Sequence, residues 1–420
     1  MRAVPEFLPH LAPADTRPDV SFHLFDLRMG GAQRNTVAIA NGLARRGWLV
    51  DLALTHARGP VLDQVSPRVR VAELADGGPR SAAPARARML HEAAAVPAFV
   101  RYLRDRRPRV VVAAANHVHF TTVLARRWAA PNGRLLVRMT NTVTRRLDAA
   151  SGAARPVYTT LARRLLPDAD AVVAVSDAVA DEARACLWLP APRVSRIYEP
   201  ALDERFDARA ALAVDHPWFA PGQPPVIVAA GRMVGHKDFA TLIAAFAKVA
   251  PQSDARLVLF GDGPLGPALQ AQSDRLGLAD RVSFAGFTDR LPAYLSRARL
   301  FVLSSRWEGL STVVVEALAA GCPVVSTDCP QGQRELLDRG RLGRLVPVGS
   351  ADALAEAIVA ELATVRASDL LRSRAEAFRI DAAIDAYERL IVALTGHRSP
   401  LGGPRGRAAN DAQAAAGVAA

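Results

Sequence analysis

The chain has no disulfide framework, no cysteine pairs that would hold a metal and no membrane-length apolar run. Its 420 residues include three cysteines, Cys186, Cys322 and Cys329, without the C-x-x-C spacing of a structural zinc site. A reducing compartment is the simpler expectation. No stretch approaches the ~18 apolar residues of a spanning helix, and the best candidate, residues 110–115, reads as a buried strand. The first 19 residues hold Pro5, Pro9, Pro13 and Pro18 and lack the apolar core of a secretory leader. The expected location is cytoplasmic, with peripheral attachment to the inner face of the plasma membrane left open. Lysine is scarce: Lys237 and Lys248 are two of 53 basic residues, and this arginine preference reads as codon bias. Acidic charge is scarce in one half only. Residues 1–200 hold 29 basic and 17 acidic side chains and residues 201–420 hold 24 of each, so the net charge of +12 belongs to the first half.

What is present describes a folded α/β protein. Half the residues are hydrophobic and 22% are charged, which excludes a disordered chain, and the length suits two or three domains. Short apolar runs at 20–25, 49–54, 109–115, 134–139 and 171–175 alternate with helix-period segments. The second half repeats the pattern, with runs at 226–230, 256–260, 282–285, 300–303 and 323–326. Strands apolar throughout, separated by helices, predict parallel sheets covered on both faces. The expected fold is two Rossmann-like doubly wound domains facing a central cleft, with ligands beyond the carboxyl ends of the strands. Expected boundaries are an N-terminal segment 1–19 without structure, a first domain 20–200, a proline-marked linker 201–225, a second domain 226–395 and a disordered tail 396–420. The last helix is a segment able to pack back on the first domain.

Four constellations sit where such folds place ligands. Gly30-Gly31 follows the first strand and opens a helix, whose free N–H groups suit an anion. Alone it is also an ordinary tight turn, and it is not the G-x-G-x-x-G of a nicotinamide site. Gly231-Arg232, with Lys237 further on, puts two cations after strand 226–230, a fork and a point charge suited to phosphate. Gly261-Asp262-Gly263-Pro264 reads as a turn. Glu308 and Glu316 flank Gly309, Leu310 and Ser311, with Ser311 placed to cap the helix that follows. Eight-residue spacing of two glutamates proves little alone, and a solvated helix residue is the plain reading of Glu316.

Taken together, these motifs resemble the E-x7-E signature and its surroundings in retaining glycosyltransferases of family four, which have the GT-B fold. The resemblance runs over Gly30-Gly31-Ala32-Gln33-Arg34, Asn41 to Gly47, Gly231-Arg232 with Lys237-Asp238-Phe239, Gly261 to Pro264, Glu308 to Glu316 and Gly321-Cys322-Pro323-Val324-Val325. Cys329-Pro330 and Arg334-Glu335-Leu336 also fall in the expected order, over about residues 20–395. It implies a hexosyltransferase that moves sugar from a nucleoside-diphosphate donor to a glycan or lipid-linked acceptor in cell-surface polysaccharide or glycolipid synthesis. Arg232 and Lys237 would neutralise the diphosphate, Glu316 would bond the ribose, and Glu308 the transferred sugar. Gly30, Gly31, Gly309, Leu310 and Ser311 would complete the donor site. A first-domain histidine beside the anomeric carbon would be His119 or His117, with His119 slightly favoured, and Asn116 and Asn141 are acceptor-side candidates. The chain departs from the family's usual pattern at Glu199-Pro200 and at Ser311.

No cofactor or metal is expected. Asp168-Ala169-Asp170 is formally D-x-D, but it precedes a strand, and carboxylates at a helix end are the better reading. Competing readings are a nucleotide-sugar epimerase or glycan phosphorylase of the same fold, and a basic protein that binds nucleic acid or a membrane surface. Nucleic acid is not expected as a partner, because the chain carries no zinc finger, recognition helix or aromatic-studded basic stripe. The first half's charge suits an anionic acceptor or an anionic membrane face.

Overall fold

A computed structural model describes residues 17–28, 31–75, 85–129, 133–140, 154–187, 189–308, 310–329 and 332–399, with the side chains of 85–90 and 154–158 left aside. The chain divides into two compact units. Unit 1 comprises residues 1–175, 179–197 and 384–420, and unit 2 comprises 176–178 and 198–383.

Unit 1 is built on seven parallel strands: β1 (Val20–Leu24), β2 (Val50–Leu54), β3 (Val69–Glu73), β4 (Val110–Ala113), β5 (Arg134–Met139), β6 (Ala171–Ala174) and β7 (Val194–Arg196). Their order is β3-β2-β1-β4-β5-β6-β7, so the winding reverses between β1 and β4, which pair directly. Unit 2 holds six: β8 (Val226–Ala230), β9 (Arg256–Phe260), β10 (Val282–Gly286), β11 (Leu300–Leu303), β12 (Val324–Thr327) and β13 (Arg344–Val346). Here the order is β10-β9-β8-β11-β12-β13, reversing between β8 and β11. Each of these sheets is parallel throughout, and this is the doubly wound GT-B architecture.

The residues explain the layering. In β8, Val226, Val228 and Ala230 join one core while Ile227 and Ala229 join the other, so an unbroken apolar run satisfies two helical layers at once. Helices α1 (Gly31–Arg45), α2 (Ala85–Arg106), α3 (His119–Ala129), α4 (Ala154–Leu165) and α5 (Asp177–Leu187) connect the first sheet. The second carries α6 (Phe239–Val249), α7 (Gly266–Arg275), α8 (Thr312–Ala319), α9 (Ala351–Leu362) and α10 (Ser368–Ala375). The fully buried strands lie close to the expected runs. The three not anticipated, β3, β7 and β13, are sheet edges of three to five residues with half-exposed patterns, which leave no continuous apolar signal.

One boundary differs from expectation. The proline-marked segment is folded into unit 2: Leu202 and Phe206 are each 1% exposed within its core, and Arg379 bridges to Leu202. The final helix, α11 (Ile380–Thr395), enters unit 1 from Ile384 onward. There Trp48 Nε1 donates to Glu388 Oε1 at 2.7 Å, Arg46 pairs with Glu388 at 2.6 Å, and Ile384 fills the space a side chain at Gly42 would need. Residues 396–399 continue this packing, with His397 Nε2 at 2.9 Å from Asp19 and Ser399 donating to the Arg46 carbonyl. The expectations for 1–16 and 400–420 lie outside the described residues.

Candidate functional site

In unit 2 the loops after β8 and β11 emerge side by side at the carboxyl ends where the winding reverses. Close backbone packing shapes the first. A Cβ at Gly261 (φ +118°) would lie 2.1 Å from the Gly231 carbonyl oxygen, and one at Gly263 would lie 2.5 Å from that of Met233. Gly261-Asp262-Gly263 is therefore more than a turn. It lets the β9 loop lie on the β8 loop, held by Met233 N–H to Asp262 O at 2.9 Å.

Residues 236–238 then interleave with 304–308. Ser304 Oγ donates to the Lys237 carbonyl at 2.9 Å, and the Arg306 N–H donates to the His236 carbonyl at 2.7 Å. Arg306 Nε donates to Asp238 Oδ2 at 3.0 Å, which ties down a buried aspartate in the left-handed region (φ +49°). The His236 and Trp307 rings stack with centroids 4.2 Å apart at 15°. Lys237 Nζ donates to Glu308 Oε1 at 2.5 Å, and Ser305 Oγ donates to the same oxygen at 2.7 Å. Two residues singled out in the sequence, 71 positions apart, thus meet as an ion pair 17% and 12% exposed. Arg232 is exposed and makes no ion pair among the described residues.

Glu316 stands in the middle of α8, half-buried, and accepts no hydrogen bond from the described residues. Burial raises its carboxyl to about 7; Arg209 pulls it down by less, and Asp203 adds a smaller upward push. Ser311 sits at the N-cap position, but its side chain makes no capping bond, so the expected cap is not formed. The first N–H groups of α8 accordingly have no side-chain partner among the described residues. Leu310 packs on the core of unit 2, and Gly309 lies outside the described residues. Nearby Cys329 is buried, and burial together with Glu308 pushes its thiol up to about 11, which leaves it an inert packing group.

The corresponding end of unit 1 is differently used. His119 is 2% exposed, and its Nε2 lies 2.9 Å from the Arg138 carbonyl oxygen, so the slightly favoured histidine is engaged inside the fold. His117 is half-buried in the loop after β4, its ring 6.3 Å from that of Phe25 after β1. Beneath them, His23 bonds Thr122 Oγ1 at 2.7 Å, and burial, with His117 nearby, drives its pKa down to about 3. Asn116 accepts from the Thr140 N–H at 3.1 Å. Gly31 opens α1 with no atom within 4 Å of where a side chain would point. Gly30 and Asn141 lie outside the described residues. The D-x-D carboxylates are occupied: Asp168 binds Arg127, while Asp170 binds Arg134 at 2.9 Å and Arg126 at 3.3 Å.

Around Lys237 and Glu308, the residues Ser304, Ser305 and His236 were not singled out in the sequence, and Arg306, Trp307 and Asp238 stood in the motifs without a role. The one available signal was polar and aromatic residues crowding both loops, and nothing local says that they pair.

Residues 29–201 match the model for Glycosyltransferase Family 4, and residues 224–364 match that for Glycosyl transferases group 1. Over 208 residues the chain is 31% identical to an alpha-D-kanosaminyltransferase of Streptomyces kanamyceticus, covering 48% of this chain and 54% of that protein. It is 35% identical over 176 residues to the lipopolysaccharide core biosynthesis glycosyltransferase LpsE of Rhizobium meliloti, covering 41% and 51%. The chain spans about half the length of the curated relatives it matches. Among solved structures, Anabaena HepE in complex with UDP aligns with a TM-score of 0.68 at 20% identity, over 89% of this chain and 100% of that one.

Proposed function

With a Glycosyltransferase Family 4 domain in its first half and a Glycosyl transferases group 1 domain in its second, we propose that the protein transfers a sugar from a nucleoside-diphosphate donor to a glycan or lipid-linked hydroxyl, retaining the anomeric configuration. The observation that carries this reading is the unfilled bonding capacity at the β8–β11 switch point. Arg232 is unpaired among the described residues, Lys237 uses one of its three N–H donors, and Glu316 has no hydrogen-bond partner among them. That set matches a sugar nucleotide group by group. Arg232 and Lys237 take the two phosphates with the uncapped amides of α8, Glu316 accepts from the ribose hydroxyls, and Glu308 accepts from the sugar. HepE has been solved with UDP and with UDP-glucose, which supports the donor class.

Charge development sets the chemistry. The anomeric C–O bond to phosphate breaks, and the nucleoside diphosphate leaves with the electron pair. The acceptor oxygen bonds the same carbon from the same face, and its proton passes to the departing phosphate oxygen. Cations placed at that oxygen stabilise the charge as it forms. Of the two histidine candidates in the first unit, His117, after β4, is the one we assign a part in the transfer, because His119 Nε2 is engaged by the Arg138 carbonyl. The basic first half suits an anionic acceptor, or the anionic membrane face that carries a lipid-linked one. This fits cell-surface polysaccharide or glycolipid synthesis, the setting of LpsE.

A screen of nucleoside diphosphates and their sugars for thermal stabilisation tests the reading. One sugar nucleotide is expected to raise Tm by several degrees, since ~100-fold saturation is worth about 2.7 kcal/mol. No stabilisation by any of them sinks it.

A further inference from the structure

Lys237 and Glu308 have separate partners in the reading above, yet in the structure they bind each other. Resting on that reading, we propose that the Lys237–Glu308 pair persists when the donor is bound and acts as one recognition unit, so that Lys237 is a positioning residue for sugar specificity as well as a phosphate ligand. The valences allow it. A lysine ammonium carries three N–H donors, and Lys237 gives one to Glu308 Oε1, which leaves two for phosphate oxygens. Glu308 Oε1 accepts from both Lys237 and Ser305, while Oε2 accepts from no described residue and is left for a sugar hydroxyl.

The surroundings hold the pair in one geometry. Flanking it are Arg306 on Asp238, the His236–Trp307 stack and Ser304 on the Lys237 carbonyl. Thr327 Oγ1, from β12, donates to the Ser305 carbonyl at 2.6 Å and so fixes the second donor to Glu308. The distance between a phosphate on Lys237 and a hydroxyl on Glu308 is thereby set by the frame and not by either side chain alone. Such a frame reads the span from diphosphate to sugar hydroxyl. Breaking the pair costs discrimination in addition to charge.

The test is the ratio of dissociation constants for a nucleoside diphosphate and its sugar ester, measured by calorimetry with UDP, GDP and their glucose and mannose forms. The unit predicts that Lys237→Met lowers this ratio by about tenfold, as Glu308→Gln does, and that the double variant lowers it no further. Ser305→Ala, which removes only the second donor to Glu308, lowers the ratio about threefold while nucleoside diphosphate affinity holds. Ser305→Ala also serves should Lys237→Met unfold. Two outcomes overturn the proposal: equal weakening of both ligands by Lys237→Met with the ratio intact, or multiplying losses in the double variant. Absence of binding by the unaltered protein to every ligand instead overturns the donor reading on which the proposal stands.

Discussion

The loop after β4 in unit 1 and the loops after β8 and β11 in unit 2 occupy equivalent places, at the carboxyl ends where each winding reverses. Their polar residues are spent differently. In unit 1, His119 and Asn116 bond backbone groups, and His23 is neutral and buried on Thr122. In unit 2, Lys237, Glu308 and Glu316 keep donors or acceptors that no described residue fills. A strand end therefore marks where a site can be. Bonding capacity left over after folding marks which residues can serve it.

The largest expected effect breaks that contrast directly. Arg232→Ala should lower donor turnover by about 10²–10³ with Tm unchanged, because an exposed cation facing a developing charge contributes to the transition state and not to folding. His119→Ala should do the reverse, lowering stability by about 1–3 kcal/mol by leaving a buried carbonyl without its partner. His117→Ala should slow turnover more than it lowers Tm. If His119→Ala kept full stability and lost turnover, the division of roles between the two histidines would be inverted.

A smaller effect concerns Glu316. Its folded carboxyl titrates near 7, above the usual carboxylate range, chiefly through burial. A raised group of this kind contributes stability below its unfolded pKa, which is lost as pH rises through about 7. Glu316→Gln should therefore melt a few degrees higher than the parent at pH 8 and level with it near pH 4. Ribose hydroxyls donate to the ionised form, so sugar-nucleotide affinity should rise up to roughly tenfold from pH 6 to pH 7.5 and level off above. Calorimetric titration across this range checks it, and an equal slope in Glu316→Gln would take the residue out of the site.

The smallest effect tests the charge. Sedimentation with anionic vesicles at low salt should exceed that with neutral ones and fade near 0.15 M salt, as the Debye length shortens to about 8 Å. Equal sedimentation with both would remove the first half's charge from the account of the acceptor.

Much of this was legible in the sequence for a definite reason. Strands such as β8 and β9 are apolar on both faces, and helices such as α6 carry their 3.6-residue period, so each announces itself locally. The edge strands β3, β7 and β13 were not legible, because each is short and only partly buried and so carries no continuous apolar run. Leu202 and Phe206 were hidden among prolines that read as linker, although tertiary packing takes them into a core. The candidate residues were legible by type and by place along the chain. Their remaining valence was not, because the partners that consume or spare it lie far away in sequence.

The sequence by itself determined a doubly wound α/β protein in two parts, its charge gathered in the first and its ligand-type residues at strand ends, since propensity, period and turn chemistry act over a few residues. Only the tertiary structure decided that β8 lies beside β11 and Lys237 on Glu308, that His119 is taken by the Arg138 carbonyl, and that the chain from Ile384 belongs with Trp48 and Arg46. Each of these is a pairing across many residues, chosen by the shared burial of whole elements and not by any signal within one of them.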